Sequence, residues 1–120
     1  MKKPITPLTH GLIDYGFIAS LFAVPKLLGL KKSTADLYKV LGTNLGIYNA
    51  LTDHGAAIKG VIPFKTHYKI DYGNLAGLAL LTLYKGIRKD KKALAFHAAF
   101  VALAAANVLL TDWEARPGTE

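Results

Sequence analysis

The sequence predicts an all-α fold, a four-helix transmembrane bundle made of two tandem helical hairpins, and three observations carry that expectation. First, four apolar runs, roughly 8–30, 35–53, 67–87 and 93–112, each approach the ~20 residues a helix needs to cross a bilayer core. Second, 52% of the 120 residues are hydrophobic and none is cysteine, which excludes both an acidic disordered chain and a disulfide scaffold. Third, the opening of the first run recurs in the third. At an offset of 57 residues, Thr9-His10-Gly11-Leu12-Ile13-Asp14-Tyr15-Gly16 lies over Thr66-His67-Tyr68-Lys69-Ile70-Asp71-Tyr72-Gly73. The correspondence continues through Ala19 with Ala76, Leu21 with Leu78, Gly29 with Gly86 and Lys32 with Lys89. Leu51-Thr52-Asp53 matches Leu110-Thr111-Asp112 at an offset of 59.

The first helix carries Asp14 and Lys26, which must snorkel or face inward, and Pro25 should kink or end it by removing an amide donor. Lys31-Lys32-Ser33-Thr34 is a short polar break. The second helix begins with Asp36 and Lys39 and holds Gly42-x-x-x-Gly46, a spacing that lets helix backbones approach closely. Residues 54–65, with Gly55, Gly60 and Pro63, read as a loop. The third helix carries Lys69 and Asp71 and a second small pair, Gly73-x-x-x-Gly77, whose counterpart in the first helix is Gly16 with Ser20. The fourth has no formal charge between Lys92 and Asp112, and Ala95, Ala99, Ala102 and Ala106 give it a small face. These small faces are expected to make helix contacts inside the bundle. His97 and Asn107 in that helix are expected to be hydrogen-bonded interior groups. Strands are excluded by run length and by the absence of period-two alternation.

The chain is therefore expected to be one membrane domain, 1–120, with repeats at about 8–54 and 65–113. A two-helix unit returns to its starting side, so the copies are parallel, related by an axis along the membrane normal. Both termini and the middle loop then share one side. The basic tips, Lys31, Lys32, Arg88, Lys89, Lys91 and Lys92, lie opposite and are expected in the cytoplasm. Met1-Lys2-Lys3 is a basic start, but Pro4, Pro7, His10 and Asp14 interrupt the apolar stretch that a leader would need next, so no cleaved leader is expected. A net charge of +7 (15 − 8) in short clusters beside apolar helices suits anionic lipid rather than nucleic acid. Tyr15, Tyr72, Phe64, Tyr68 and Trp113 are placed to form an interfacial aromatic belt.

His10-Gly11-Leu12-Ile13-Asp14-Tyr15, Thr52-Asp53 and Ile62-Pro63-Phe64-Lys65-Thr66-His67 resemble the repeat of the SPW-repeat family of small bacterial membrane proteins. The resemblance covers nearly the whole chain. Val24-Pro25-Lys26 stands where the family has Ser-Pro-Trp, and the second copy has Leu81-Thr82-Leu83 there, without proline. The resemblance implies paired membrane hairpins in a bacterial cytoplasmic membrane and no defined activity.

The chemistry-bearing residues are duplicated. His10 with Asp14, and His67 with Asp71, are four apart and so share a helical face. The topology brings them to one level with Asp53 and Asp112, and with His54 nearby. Thr9 and Thr66 are expected as helix N-caps. The cluster is expected to be a polar staple fixing hairpin packing, in a structural, interaction or accessory-subunit protein of the bilayer that assembles with itself or a larger complex. Two alternatives stand beside it. One is a divalent-metal or proton site serving binding or transport, with His10, Asp14, His67 and Asp71 as ligands and Asp53 and Asp112 as second choice. The other is a soluble four-helix bundle. No phosphate loop, nucleophile elbow or facing glutamate pair is present, so the sequence leans away from an enzyme.

Overall fold

The computed structural model describes residues 2–116, so residue 1 and residues 117–120 lie outside it. Among the described residues the chain is helical with no strand: α1 (Pro7–Leu27), α2 (Lys32–Ala50), α3 (Phe64–Leu81), the single turn α4 (Lys85–Arg88) and α5 (Lys91–Leu110). The caps explain most of these boundaries. Thr6, not Thr9, starts α1, its hydroxyl accepting from the Thr9 N–H, and Pro7 occupies the first turn, where no amide is missed. Pro25 sits two residues inside the end of α1. The helix stops at Gly29 (φ +66°): the Gly29 N–H donates to the Lys26 carbonyl and the Leu30 N–H to that of Pro25, a left-handed closure suited to glycine. Thr66 lies within α3, whose N-cap is Pro63.

The run expected as a third continuous helix is instead broken at 82–84 and resumes as α4. The break lets Gly86 pass against α2, where a Cβ would lie 2.6 Å from Thr34 Oγ1, and turns Ile87 fully inward. Asp90 then caps α5, its carboxylate accepting from the Lys92 and Ala93 amides.

α1 packs along α2, and α3 along α5; the hairpins meet through α1 and α5, whereas α2 and α3 scarcely approach one another. Backbone closure is duplicated. The Asp53 N–H donates to the Ile62 carbonyl and the Ile62 N–H to that of Leu51; Asp112 donates to Ile5 and Ile5 to Leu110 in the same way. Each hairpin's closing Thr-Asp thus pairs with the segment that enters a first helix.

Two of the four long helices, α1 and α5, are long and apolar enough to cross a membrane. The expectation of four such spans is not met by composition, because α2 contains Lys32, Asp36 and Lys39, and α3 contains Lys65, Lys69 and Asp71. The small faces also divide. A Cβ on Gly42 would lie 2.9 Å from the Phe22 ring and one on Gly46 3.8 Å from Ile18, so that pair does seat α2 on α1. A Cβ on Gly16, Gly73 or Gly77 would meet nothing within 4 Å, and Ala95, Ala99 and Ala102 are exposed, so these faces are not internal contacts.

The interior is part apolar and part polar. An apolar core forms around Leu21, Tyr38, Leu78, Ile87 and Phe100. Yet His10, Asp14, Asn49, His54, His67, Asp71, His97 and Asn107 are buried, while Leu12, Val40, Ile47, Leu80, Leu83, Leu103 and Leu109 are exposed.

Candidate metal centre

The opening turns of α1 and α3 deliver the duplicated pairs to one point. His10 and His67 bring their Nε2 atoms to 3.3 Å from each other. His10 Nε2 lies 3.1 Å from Asp71 Oδ2 and 3.4 Å from Asp14 Oδ2; His67 Nε2 lies 3.0 Å from Asp14 Oδ2 and 3.3 Å from Asp71 Oδ2. All four atoms fall within 4.8 Å of one another, and all four residues are buried. A tetrahedron of ligands about 2.0–2.1 Å from a zinc-like ion has edges of about 3.3–3.4 Å. Three of the five separations above, 3.3, 3.4 and 3.3 Å, fall on that figure, and the other two, 3.1 and 3.0 Å, are shorter and lie in the hydrogen-bond range.

The opposite side of every ligand is held. His10 Nδ1 is 2.8 Å from Thr111 Oγ1, and His67 Nδ1 is 2.7 Å from Thr52 Oγ1. Each threonine hydroxyl donates its own hydrogen to the carbonyl four residues back, Thr52 to Tyr48 and Thr111 to Asn107. A hydroxyl has a single hydrogen, so toward the imidazole it can only accept. Both histidines therefore carry a proton on Nδ1, and when neutral they turn a free Nε2 lone pair to the centre. That is the tautomer a metal ligand requires. The carboxylates are treated alike: the Tyr48 hydroxyl donates to Asp71 Oδ1 (2.8 Å) and the Asn107 amide to Asp14 Oδ1 (3.1 Å), leaving Oδ2 of each aimed inward.

The partners cross between the repeats. His10 and Asp14 of the first are held by Thr111 and Asn107 of the second, and His67 and Asp71 by Thr52 and Tyr48 of the first. The site is complete only when the hairpins dock.

The loop end is sealed. Trp113 packs its ring 4.8 Å from His10 and 4.6 Å from Phe64, and both aromatics are buried, so the belt expected there loses these two members to the centre. His54 covers His67 at the equivalent position, ring centroids 6.0 Å apart. Its Nδ1 accepts from the Ala56 amide, and its Nε2–H donates to Asn49 Oδ1 at 2.8 Å. Both nitrogens are thus committed in the neutral ring, and burial lowers its pKa below the usual histidine value. Gly11 is required beneath it, since a Cβ there would lie 2.6 Å from the ring.

Asp53 and Asp112 stand outside the centre. Asp53 is exposed, and Asp112 is half-buried and accepts from the Glu114 amide. In both Thr-Asp pairs the threonine side chain serves the site and the aspartate contributes its backbone amide. His97 lies deeper in the bundle, accepting from the Tyr38 hydroxyl and donating to the Leu78 carbonyl. It is a fully hydrogen-bonded interior group.

No protein family matches this chain, nor does any curated protein or solved structure.

Proposed function

We propose that this is a small polytopic membrane protein that binds one divalent cation of the zinc class between its two hairpins, through His10, Asp14, His67 and Asp71. The observation that carries the reading is the convergence of two Nε2 lone pairs and two carboxylate oxygens on one buried point, with both tautomers set from outside by threonine. Two neutral imidazoles and two carboxylates sum to −2, a charge that a buried site cannot hold unpaired and that one divalent ion cancels. Mixed N/O ligation suits zinc and its transition-metal neighbours better than magnesium or calcium, which prefer oxygen alone.

The membrane assignment, with α2 and α3 spanning alongside α1 and α5, is supported by the polar cluster inside and the many large apolar side chains outside. Most buried polar groups are hydrogen-bonded inside while many leucines, valines and isoleucines lie on the outside, an arrangement that lipid favours and water penalises. The long axis of 43 Å suits a bilayer with its headgroup layers. The basic tips would face the cytoplasm, and the fold would be a divergent relative of the SPW-repeat hairpins. A polar staple is the competing account. With both imidazoles protonated the four side chains also sum to zero, each imidazolium lying 3.0–3.4 Å from both carboxylates, so metal content is what separates the two readings.

Elemental analysis of protein purified without chelator tests the reading: one zinc-class ion per chain is expected, and none in the double variant His10→Asn, His67→Asn. Wild-type protein that stays metal-free after zinc loading and desalting would refute it.

A further inference from the structure

Thr111 and Thr52 hold the two histidines, and the backbone brackets each threonine from both sides. Ile5 forms an isolated parallel bridge with Thr111: its N–H donates to the Leu110 carbonyl at 3.1 Å, and its own carbonyl accepts from the Asp112 N–H at 2.8 Å. Ile62 does the same around Thr52, donating to Leu51 at 2.8 Å and accepting from Asp53 at 2.9 Å. Ile5 lies two residues before Pro7, where α1 begins, and His10 is in the opening turn of that helix. The Ile5 clip therefore fixes the start of α1 against the end of α5, and with it the 2.8 Å contact between His10 Nδ1 and Thr111 Oγ1. The two clips are not equally secured. On the Thr52 side the Leu51 carbonyl also accepts from the Val61 N–H, Ile58 and Lys59 donate to the Ala50 carbonyl, and the short connection 54–61 keeps the paired segments together. On the Thr111 side the paired segments lie far apart in sequence, and the further polar tie between them is the exposed Lys3 Nζ on the Leu109 carbonyl at 2.9 Å. Trp113 packs over His10, but its Nε1–H donates to the Val108 carbonyl of its own helix.

Resting on the metal reading, we infer that the main chain of Ile5 is a positioning group of the metal centre: by bracketing Thr111 it keeps His10 turned to the ion, and its clip is the one whose parting lets the ion go. When Ile5 leaves Leu110 and Asp112, the Thr111 hydroxyl is no longer held against the imidazole. His10 then loses the acceptor that keeps its proton on Nδ1 and its lone pair on Nε2, and one of the four ligands slackens. The Thr52 bracket has a second donor on the Leu51 carbonyl and a short covalent connection, so it survives the loss of one bond and His67 stays in place. The centre thus has a firm half at His67 and a releasable half at His10.

Transfer of zinc from the full-length, zinc-loaded protein to an excess of chromophoric chelator reads the release rate, and competition titration reads the affinity. Ile5→Pro removes the N–H that bonds Leu110 and should weaken zinc binding about 3- to 10-fold, through faster release. Ile62→Pro leaves the Val61 bond to Leu51 and should change affinity by less than about twofold. A double-variant cycle separates positioning from general weakening. Once Thr111→Val has removed the hydroxyl the clip has nothing to position, so Ile5→Pro should add less than about twofold to the loss from Thr111→Val, yet multiply in full with the loss from Thr52→Val. A merely structural clip would multiply with both. Ile5→Gly, which keeps the amide but loosens the segment, enters the same cycle should the proline variant misfold. Wild-type zinc affinity in a folded Ile5 variant, full multiplication with Thr111→Val, or an equal loss from Ile62→Pro would overturn the role assigned to Ile5 and leave the metal centre standing. A wild-type sample that takes up no zinc would overturn the metal reading itself, which the elemental analysis reports separately.

Discussion

Thr52→Val is the substitution that best separates a metal centre from a polar staple. Valine keeps the shape of threonine but cannot accept the His67 Nδ1–H, which the wild type holds at 2.7 Å in a fully buried position. An unpaired buried donor costs about 1–3 kcal/mol. In metal-free protein the imidazole escapes that cost. A neutral ring can move its proton to Nε2 and donate to Asp14 Oδ2, already 3.0 Å away. With an ion on Nε2 the escape is closed, so the cost falls on the loaded form alone. Zinc affinity should therefore drop about 10- to 100-fold, the usual effect of removing such an orienting partner. A competition titration against a chromophoric chelator reads this directly, and thermal melts in excess chelator provide the companion measurement. Thr52→Ser, which keeps the hydroxyl, should restore affinity to within a few-fold. If the imidazoles were instead protonated staples, both ring N–H groups would be needed at all times. The variant would then lower the chelated melting temperature markedly, with no separate change in zinc affinity. That pattern would refute the metal reading.

Three further outcomes are expected from particular contacts. Gly11→Ala should destabilise the fold by about 1–3 kcal/mol, because its methyl would displace the His54 ring and break the bond to Asn49; the same change at Gly77, where space is open, should be neutral or stabilising by up to about 1 kcal/mol, and chemical denaturation compares the two. His54 has a lowered pKa in the folded state, so as pH falls the unfolded chain takes up a proton that the folded chain refuses, and stability should decline from about pH 7 toward pH 5; His54→Asn should flatten that slope, and an unchanged slope in a melting series would contradict the assignment. Finally, membranes from expressing cells washed in high salt and alkaline carbonate should retain the protein until detergent is added, whereas release by carbonate alone would return the His/Asp centre to the interior of a soluble bundle.

The helical runs and the duplication were legible because both leave periodic marks on the sequence: apolar length for the helices, and the recurring Thr-His…Ile-Asp-Tyr-Gly for the repeat. The convergence of His10, Asp14, His67 and Asp71 was also legible, since hairpin topology brings the starts of α1 and α3 to one end. Their supporting residues were harder to see. Thr52 and Thr111 stood in plain view within the matched Thr-Asp pairs, but a carboxylate attracts attention as a ligand and a hydroxyl does not. Only the atom positions show that the hydroxyl faces the imidazole while Asp53 and Asp112 supply backbone amides. Tyr48 and Asn107 differ in type although they occupy equivalent positions, so no repeat search pairs them. The glycine faces misled for a physical reason: small-x-x-x-small spacing says that close approach is allowed, and at Gly73 and Gly77 no helix comes.

That last departure bears on what the two halves do. The features the repeats share are the ligands, the threonines that fix their tautomers and the backbone pairing of each Thr-Asp, and all of these serve a centre with near two-fold symmetry. The seams between the repeats differ. α1 and α5 pack directly, while their counterparts α3 and α2 meet through side chains, the Tyr48 hydroxyl donating to Asp71 and accepting from the Asn74 amide. A gap opens at each seam, one between α1 and α5 beside Gly16, Ser20 and Ala99 and one between α2 and α3 beside Gly73 and Gly77. Of the two, the gap between α2 and α3 is the one lined by both Asp14 and Asp71. Duplication accounts for the His/Asp centre, and the divergence of the repeats accounts for its carboxylates facing one seam rather than both.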